Sequence, residues 1–325
     1  MRLLRRTTAA LVVVGLLAGC APARQPVTAA GSPAPVRPLN VLDPAPAPSA
    51  TAAPPTCDPR VSLRPPGGLP APGVMPAGST MATIAQRGRL IVGADQNAYF
   101  LGYRDPATGQ LAGFDVDIAR EIAKAIFGNP DAIQFRTINA ADRIPMIQSG
   151  QVDLVVRSFS ITCERLQQIA FSTEYLNSPQ RLLVVKGSGY RSIDDLGHDK
   201  KVCASRGSTN IPVIQKAASH PIAVAADNIS DCVVLLQQGQ VAGVSTDETI
   251  LIGMAAQDPN LEIVGGPLSD NPIGNGMARN ATDLVRFVNG VLDRIRADGT
   301  WTAIYRHWLG VLGSVPAPPT PRYQD

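Results

Sequence analysis

Four short runs in this chain set guanidinium, carboxylate and hydroxyl groups directly after apolar stretches. Asp95 ends Arg89-Leu90-Ile91-Val92-Gly93-Ala94-Asp95, and Arg157-Ser158-Phe159-Ser160-Ile161-Thr162-Cys163-Glu164-Arg165 follows Val152 to Val156. Ser205-Arg206-Gly207-Ser208-Thr209-Asn210 follows Lys201 to Ala204, and Ser245-Thr246-Asp247 follows Val241 to Val244. A guanidinium such as that of Arg165 grips a carboxylate with two parallel hydrogen bonds, and the free N–H groups of a helix start, here Ser208-Thr209, favour the same anion. Ser158 and Ser160 add hydroxyls, and Asp247 offers the opposite sign for an ammonium. Taken singly these are ordinary features, since Ser-Thr before a helix is an N-cap and Asp after a strand is a turn. Taken together they describe a receptor for a zwitterion. No histidine or glutamate stands at such a strand end to act as general acid or base, so no enzymatic chemistry is expected. His198, His220 and His307 share no recurring spacing with cysteine, and without paired C-x-x-C or H-x-x-H units neither a metal nor another cofactor is expected.

The elements that must carry these residues alternate. Strands are expected at Arg89–Asp95, Ala132–Ile138, Val152–Val156 and Arg181–Val185, with helices at Phe114–Phe127, Asp142–Gln148 and Glu164–Ile169. Ile118, Ile122 and Ile126 mark one face of the first helix, which Gly128-Asn129-Pro130 stops. A second set follows: strands Lys201–Ala204, Ile222–Ala225, Val241–Val244 and Leu261–Val264, helices Ile211–Ala217, Cys232–Gln238 and Ile250–Ala256, then long helices Ala281–Arg296 and Trp301–Leu309. Strands alternating with helices predict α/β sheets with crossover connections, here two lobes facing each other across a cleft. In open α/β sheets ligands bind beyond the carboxyl ends of the strands, where the four runs fall.

The chain's first residues address location. Arg2, Arg5 and Arg6 precede the apolar run Leu11–Leu17 and Leu17-Ala18-Gly19-Cys20, the pattern of a secretory leader, too short for a permanent span of about 20 residues. The motif resembles a bacterial lipobox, which implies cleavage before Cys20, acylation of that cysteine and a stable anchor on the outer face of the cell membrane. Losing residues 1–19 removes three arginines and no acid, so 29 basic against 26 acidic residues become balanced and no nucleic-acid footprint is expected. Residues 20–78 are rich in Pro, Ala, Ser and Thr and read as an extended stalk. Cys57, Cys163, Cys203 and Cys232 then form an even set with three pairings open. Cys203 in a strand and Cys232 in a nearby helix are the favoured pair, which leaves Cys57 with Cys163.

From Leu90 to Gly310 the chain resembles the extracytoplasmic solute-binding proteins of polar amino-acid ABC importers. The matching stretches include Gly113-Phe114-Asp115-Val116-Asp117-Ile118-Ala119, Asp142-Arg143-Ile144-Pro145, Gln148-Ser149-Gly150-Gln151-Val152-Asp153-Leu154, Ser160-Ile161-Thr162-Cys163-Glu164-Arg165 and Ala297-Asp298-Gly299-Thr300-Trp301. It is most similar in flavour to actinobacterial glutamine/glutamate-binding lipoproteins, in which cysteines paired at the positions of Cys203 and Cys232 also occur. The resemblance implies the type II periplasmic-binding-protein fold: two lobes, each a mixed sheet flanked by helices, joined by a two-strand hinge. Lobe one would comprise 79–184 plus 272–312, lobe two 185–271, and 313–325 a tail. It further implies that Arg165 binds a ligand α-carboxylate with Ser160 and Thr209, and that the Ser158 backbone and Asp247 hold the α-ammonium. Arg143 would reach the distal carboxylate of an acidic ligand, while Asp95 would accept from an amide. Ala98 and Ala140 stand where the glutamine-binding pattern has aromatics, which shifts the expectation to glutamate or aspartate over asparagine and glutamine. The implied partners are the amino acid and an ABC permease–ATPase complex, with the receptor a monomer. A membrane sensor protein is the alternative partner, and a dehydratase on the same fold the remote one.

Overall fold

The computed structural model describes residues 35–47 and 55–325. The leader, Cys20 and the rest of the expected stalk lie outside the described residues.

The first five-stranded sheet has the order Ile133–Thr137, Leu90–Ala94, Leu154–Val155, Gly276–Met277, Ala170–Phe171. Its first three strands run parallel, and Gly276–Met277 runs antiparallel to both its neighbours. Parallel neighbours need a crossover, which the helix Phe114–Phe127 supplies between Leu90–Ala94 and Ile133–Thr137. That helix packs Phe114, Ile118, Ile122 and Ile126 into the core and ends at Gly128, whose φ of 74° lets its N–H turn back to Lys124 O. Phe287, Val288, Val291 and Ile295 of the helix Thr282–Ala297, and Trp301 of the helix Thr300–Leu309, fill the same core. The last two helices thus return to lobe one.

The second sheet has the order Ile222–Ala226, Lys201–Ser205, Gly243–Asp247, Gln180–Val185, Leu261–Ser269. Successive strand residues point to opposite faces, so Val202, Ala204, Leu182 and Val184 enter one apolar layer while Cys203, Leu183 and Val244 enter the other. Cys203 forms a disulfide with Cys232 there, tying a strand to the helix Ile229–Gln237. The chain crosses between sheets next to a short antiparallel pair, Leu176–Asn177 with Pro272–Ile273. Because Gln180–Val185 pairs inside the second sheet, the boundary between lobes lies near residue 179 rather than 184.

The stalk and tail expectations are corrected over their described parts. Leu42 exchanges backbone hydrogen bonds with Ala225, and Ala45 donates to Ala223 O, so this stretch extends the second sheet past its edge strand Ile222–Ala226. Val61–Leu63 pairs in parallel with Arg322–Gln324 of the tail, and Cys57 is disulfide-bonded to Cys163. A proline-rich composition predicts weak burial per residue. It does not register backbone pairing with a partner strand, which needs few side chains.

Candidate functional site

Three loops at strand ends converge where the lobes meet. The first sheet contributes the run from Arg157 to Arg165, the second the loop Arg206–Thr209 and the strand end at Asp247. Helix Arg143–Gln148 adds its first residue.

Arg143 and Arg165 lie over the ring of Phe159, with guanidinium carbons 4.3 and 4.9 Å from its centroid. Phe159, buried between Ser158 and Ser160, is therefore a platform for both cations. Arg165 Nη1 donates to Ser160 O at 2.7 Å and its Nη2 to Gly207 O at 3.1 Å. Arg143 Nε donates to Ala140 O at 2.8 Å, but its terminal nitrogens reach only Ser158 O at 3.4 Å, Arg157 O at 3.5 Å and Gly207 O at 3.3 Å. Such lengths exceed the usual range for N–H···O bonds and leave the donors under-used. The Ser160 and Thr209 hydroxyls stand 3.4 Å apart across the two lobes.

Asp247 accepts from Asn271 Nδ2 at 2.9 Å. Burial pushes its carboxyl up to about 7, against the pull of Arg143, Asn271 and Arg165. Burial brings Arg165 down to about 10, and burial together with the Arg165 and Arg157 charges brings Arg143 well below the usual guanidinium range. Arg143, Arg165 and Asp247 are 4, 8 and 3% exposed, yet none of the three makes a salt bridge among the described residues. Buried charges without a counter-ion are costly, and a bound group of complementary charge relieves that cost.

Asp95 and Arg157 behave differently. Asp95 Oδ1 accepts from the N–H groups of Gln96 and Asn97 at 2.8 and 3.0 Å, and Oδ2 meets Arg157 Nη2 at 2.8 Å. Arg157 Nε also donates to Ile138 O at 2.8 Å. The structure thus redirects the expectation for Asp95: both its oxygens are engaged by protein donors, and it neutralises Arg157.

Behind Ser158 sits a group that sequence reasoning gave no role. Asp115 accepts from Ser158 N at 2.8 Å, Ser158 Oγ at 3.0 Å and the Tyr175 hydroxyl at 2.8 Å. Ser158 has φ of 40°, a conformation uncommon outside glycine, and these bonds hold it. Burial raises the Asp115 carboxyl to about 6 despite the three donors. The signal available was Asp115 on an otherwise apolar helix face.

The lobes touch closely. Gly207 has φ of 75°, and a Cβ there would lie 2.6 Å from Ala141 Cα of the opposite lobe. At Gly253 a Cβ would lie 2.5 Å from Tyr99 O. Asn97 Nδ2 donates to Asn228 Oδ1 at 3.1 Å, a third interlobe contact.

With this geometry in place the likenesses are specific. The family described as bacterial extracellular solute-binding proteins, family 3, matches residues 90–311. The ABC transporter glutamine-binding protein GlnH of Bacillus subtilis is 34% identical over 230 residues, covering 71% of this chain and 84% of that protein. The glutamate-binding protein GluB of Corynebacterium efficiens is 28% identical over 265 residues, 78% of this chain and 90% of its own. The solved structure of an ancestral arginine-binding protein bound to glutamine is 33% identical with a TM-score of 0.64, covering 69% of this chain and 99% of that one. The chain belongs to the family 3 bacterial extracellular solute-binding proteins, and is a receptor rather than an enzyme.

Proposed function

We propose that this family 3 solute-binding protein takes up an acidic amino acid, glutamate or aspartate, between its lobes and presents it to an ABC importer at the outer face of the membrane. Relatives named for glutamine, glutamate and glutamate/aspartate binding support the ligand class. The observation that carries the choice of acid is the charge set of the cleft. Arg157 and Asp95 cancel each other, which leaves Arg143, Arg165 and Asp247 without protein counter-ions. Two cations and one anion are the complement of two carboxylates and one ammonium.

In this reading Arg165 takes the α-carboxylate by two parallel bonds, with the Ser160 and Thr209 hydroxyls beside it. Asp247 and the Ser158 carbonyl take the α-ammonium, and Arg143 takes the distal carboxylate in place of its long carbonyl contacts. Ligand atoms held from both lobes favour the closed form over the open one. Amides bind the same site more weakly, because a neutral oxygen facing Arg143 leaves its charge unmatched. Cys20 would carry the lipid anchor, so Cys20→Ala should release the protein from the membrane fraction.

Calorimetric titration of the purified, oxidised protein with glutamate, aspartate, glutamine and asparagine tests the reading. Tighter binding of the acids is expected. Preference for an amide, or binding of none, would refute it.

A further inference from the structure

We propose that the segment Cys57–Leu63, which lies before the family-matched region, is a positioning element for the carboxylate grip, acting through the Cys57–Cys163 disulfide and Ser62. The inference rests on the role given above to Arg165.

Two separate routes lead from this segment to the guanidinium pair. Along the first, Cys57 is bonded to Cys163, which opens the single-turn helix Cys163–Leu166 that carries Arg165. Thr162 caps that turn by accepting from Arg165 N at 3.2 Å, so a displacement of Cys163 moves the cap and Arg165 together. A four-residue helix has too few internal bonds to hold its own position, and the disulfide supplies an external one.

Along the second route, Ser62 Oγ donates to Phe171 O at 2.7 Å and accepts from Asn289 Nδ2 at 2.9 Å, all buried. The Phe171 ring meets the Phe159 ring edge to face at 4.9 Å, and Phe159 bears both Arg143 and Arg165.

The segment is itself fastened at several points. Arg60 bridges Glu174 and Asp270, at 2.8 Å to each. Arg322 of the tail pairs with Asp58 at 2.9 Å, and the tail strand lies along Val61–Leu63. A binding loop is held to tight tolerances only where the shell behind it is locked. Here that shell comes from chain outside residues 90–311. The other disulfide offers a built-in contrast, since Cys203 and Cys232 are fully buried in the second lobe's apolar layer and contact none of the ligand loops' side chains through printed bonds.

The test compares glutamate and glutamine affinities of the oxidised full chain, of Cys57→Ser/Cys163→Ser and of Cys203→Ser/Cys232→Ser, well below each protein's melting temperature. Losing the first disulfide should weaken both ligands roughly tenfold, with their ratio kept, because the shared α-carboxylate grip is what loosens. Losing the second should lower the melting temperature while leaving affinity within about threefold. Cys57 is exposed, so mild reduction of the unmodified chain should reproduce the first loss and reoxidation should reverse it; this arm also serves if the serine variant does not fold. Unchanged affinity without the Cys57–Cys163 bond, or a changed ligand ratio, overturns the brace alone. Absence of binding by the unmodified oxidised protein overturns the amino-acid reading and the brace with it.

Discussion

Replacing Arg143 with methionine isolates the selectivity argument, because methionine keeps the apolar stem against Phe159 and removes only the charged head. Within the protein little is lost. Only the Nε bond to Ala140 O is short, and the terminal nitrogens make contacts of 3.3 to 3.5 Å. The Arg165 and Arg157 charges, together with burial, already disfavour the cation, so the variant alone should melt no lower than the parent. The ligand feels the change unequally. Removing one partner of a buried charge pair costs about 3–5 kcal/mol, which puts the loss for glutamate at roughly two to three and a half powers of ten in Kd. A glutamine oxygen facing Arg143 loses a hydrogen bond worth about 0.5–1.5 kcal/mol, or roughly two- to tenfold. Titration calorimetry of both ligands on both proteins measures the ratio directly. Equal losses would show that Arg143 does not touch the distal group, and the assignment of an acidic ligand would fall.

Arg165→Ala should abolish measurable binding of acids and amides alike, since it removes the grip they share; retained binding of any one would displace Arg165 from the α-carboxylate. For Asp247, whose carboxyl is raised to about 7, an ammonium selects the ionised form, so affinity should be level above pH 7 and fall toward about tenfold per unit below it. The sign for folding is opposite. The raised carboxyl binds its proton more tightly folded than unfolded, so the stabilisation present below about pH 4 is lost as pH rises toward 7, at up to about 1.4 kcal/mol per unit. Asp115, raised to about 6, adds the same trend, and Asp247→Asn separates the two; thermal melts of that variant with an unaltered pH slope would reject the assignment. Gly253→Ala places a Cβ against Tyr99 O, and overpacking of about 1–3 kcal/mol on the closed form should weaken every ligand about five- to 150-fold. X-ray scattering should then show a smaller ligand-induced compaction, and an unchanged profile would mean that closure does not bring these atoms together. Asp115→Asn should weaken all amino acids in parallel, because an amide must turn a donor toward Ser158 N or toward the Tyr175 hydroxyl. A change confined to one ligand in binding assays would contradict a positioning role.

How legible this protein is in its sequence depends on the range of the interaction in question. The helix Phe114–Phe127 follows from isoleucines four residues apart and a glycine stop, both local signals, and it forms where the periodicity places it. The expected helix at Glu164–Ile169 shrinks to one turn, Cys163–Leu166, because what fixes it is not its own periodicity but a disulfide more than a hundred residues away in sequence. The strand expected at Val241–Val244 begins instead at Gly243 and runs to Asp247, since pairing with Gln180–Val185 decides its extent. The site divides along the same line. Arg143, Ser158, Ser160, Arg165, Thr209 and Asp247 could be named because polar groups at strand ends are conspicuous in a linear reading. Asp95 was conspicuous for the same reason, but the direction of the Arg157 side chain, which engages it, has no signature in sequence. Phe159 was hidden by its own type, as an aromatic between two serines reads as core, which it is, and only the packing shows that its ring carries two guanidiniums. Charge type is therefore written locally while charge pairing is written in the fold, and selectivity depends on the pairing. The Asp95–Arg157 pair turns three cations into two, and that subtraction is what makes the cleft fit a dicarboxylic amino acid.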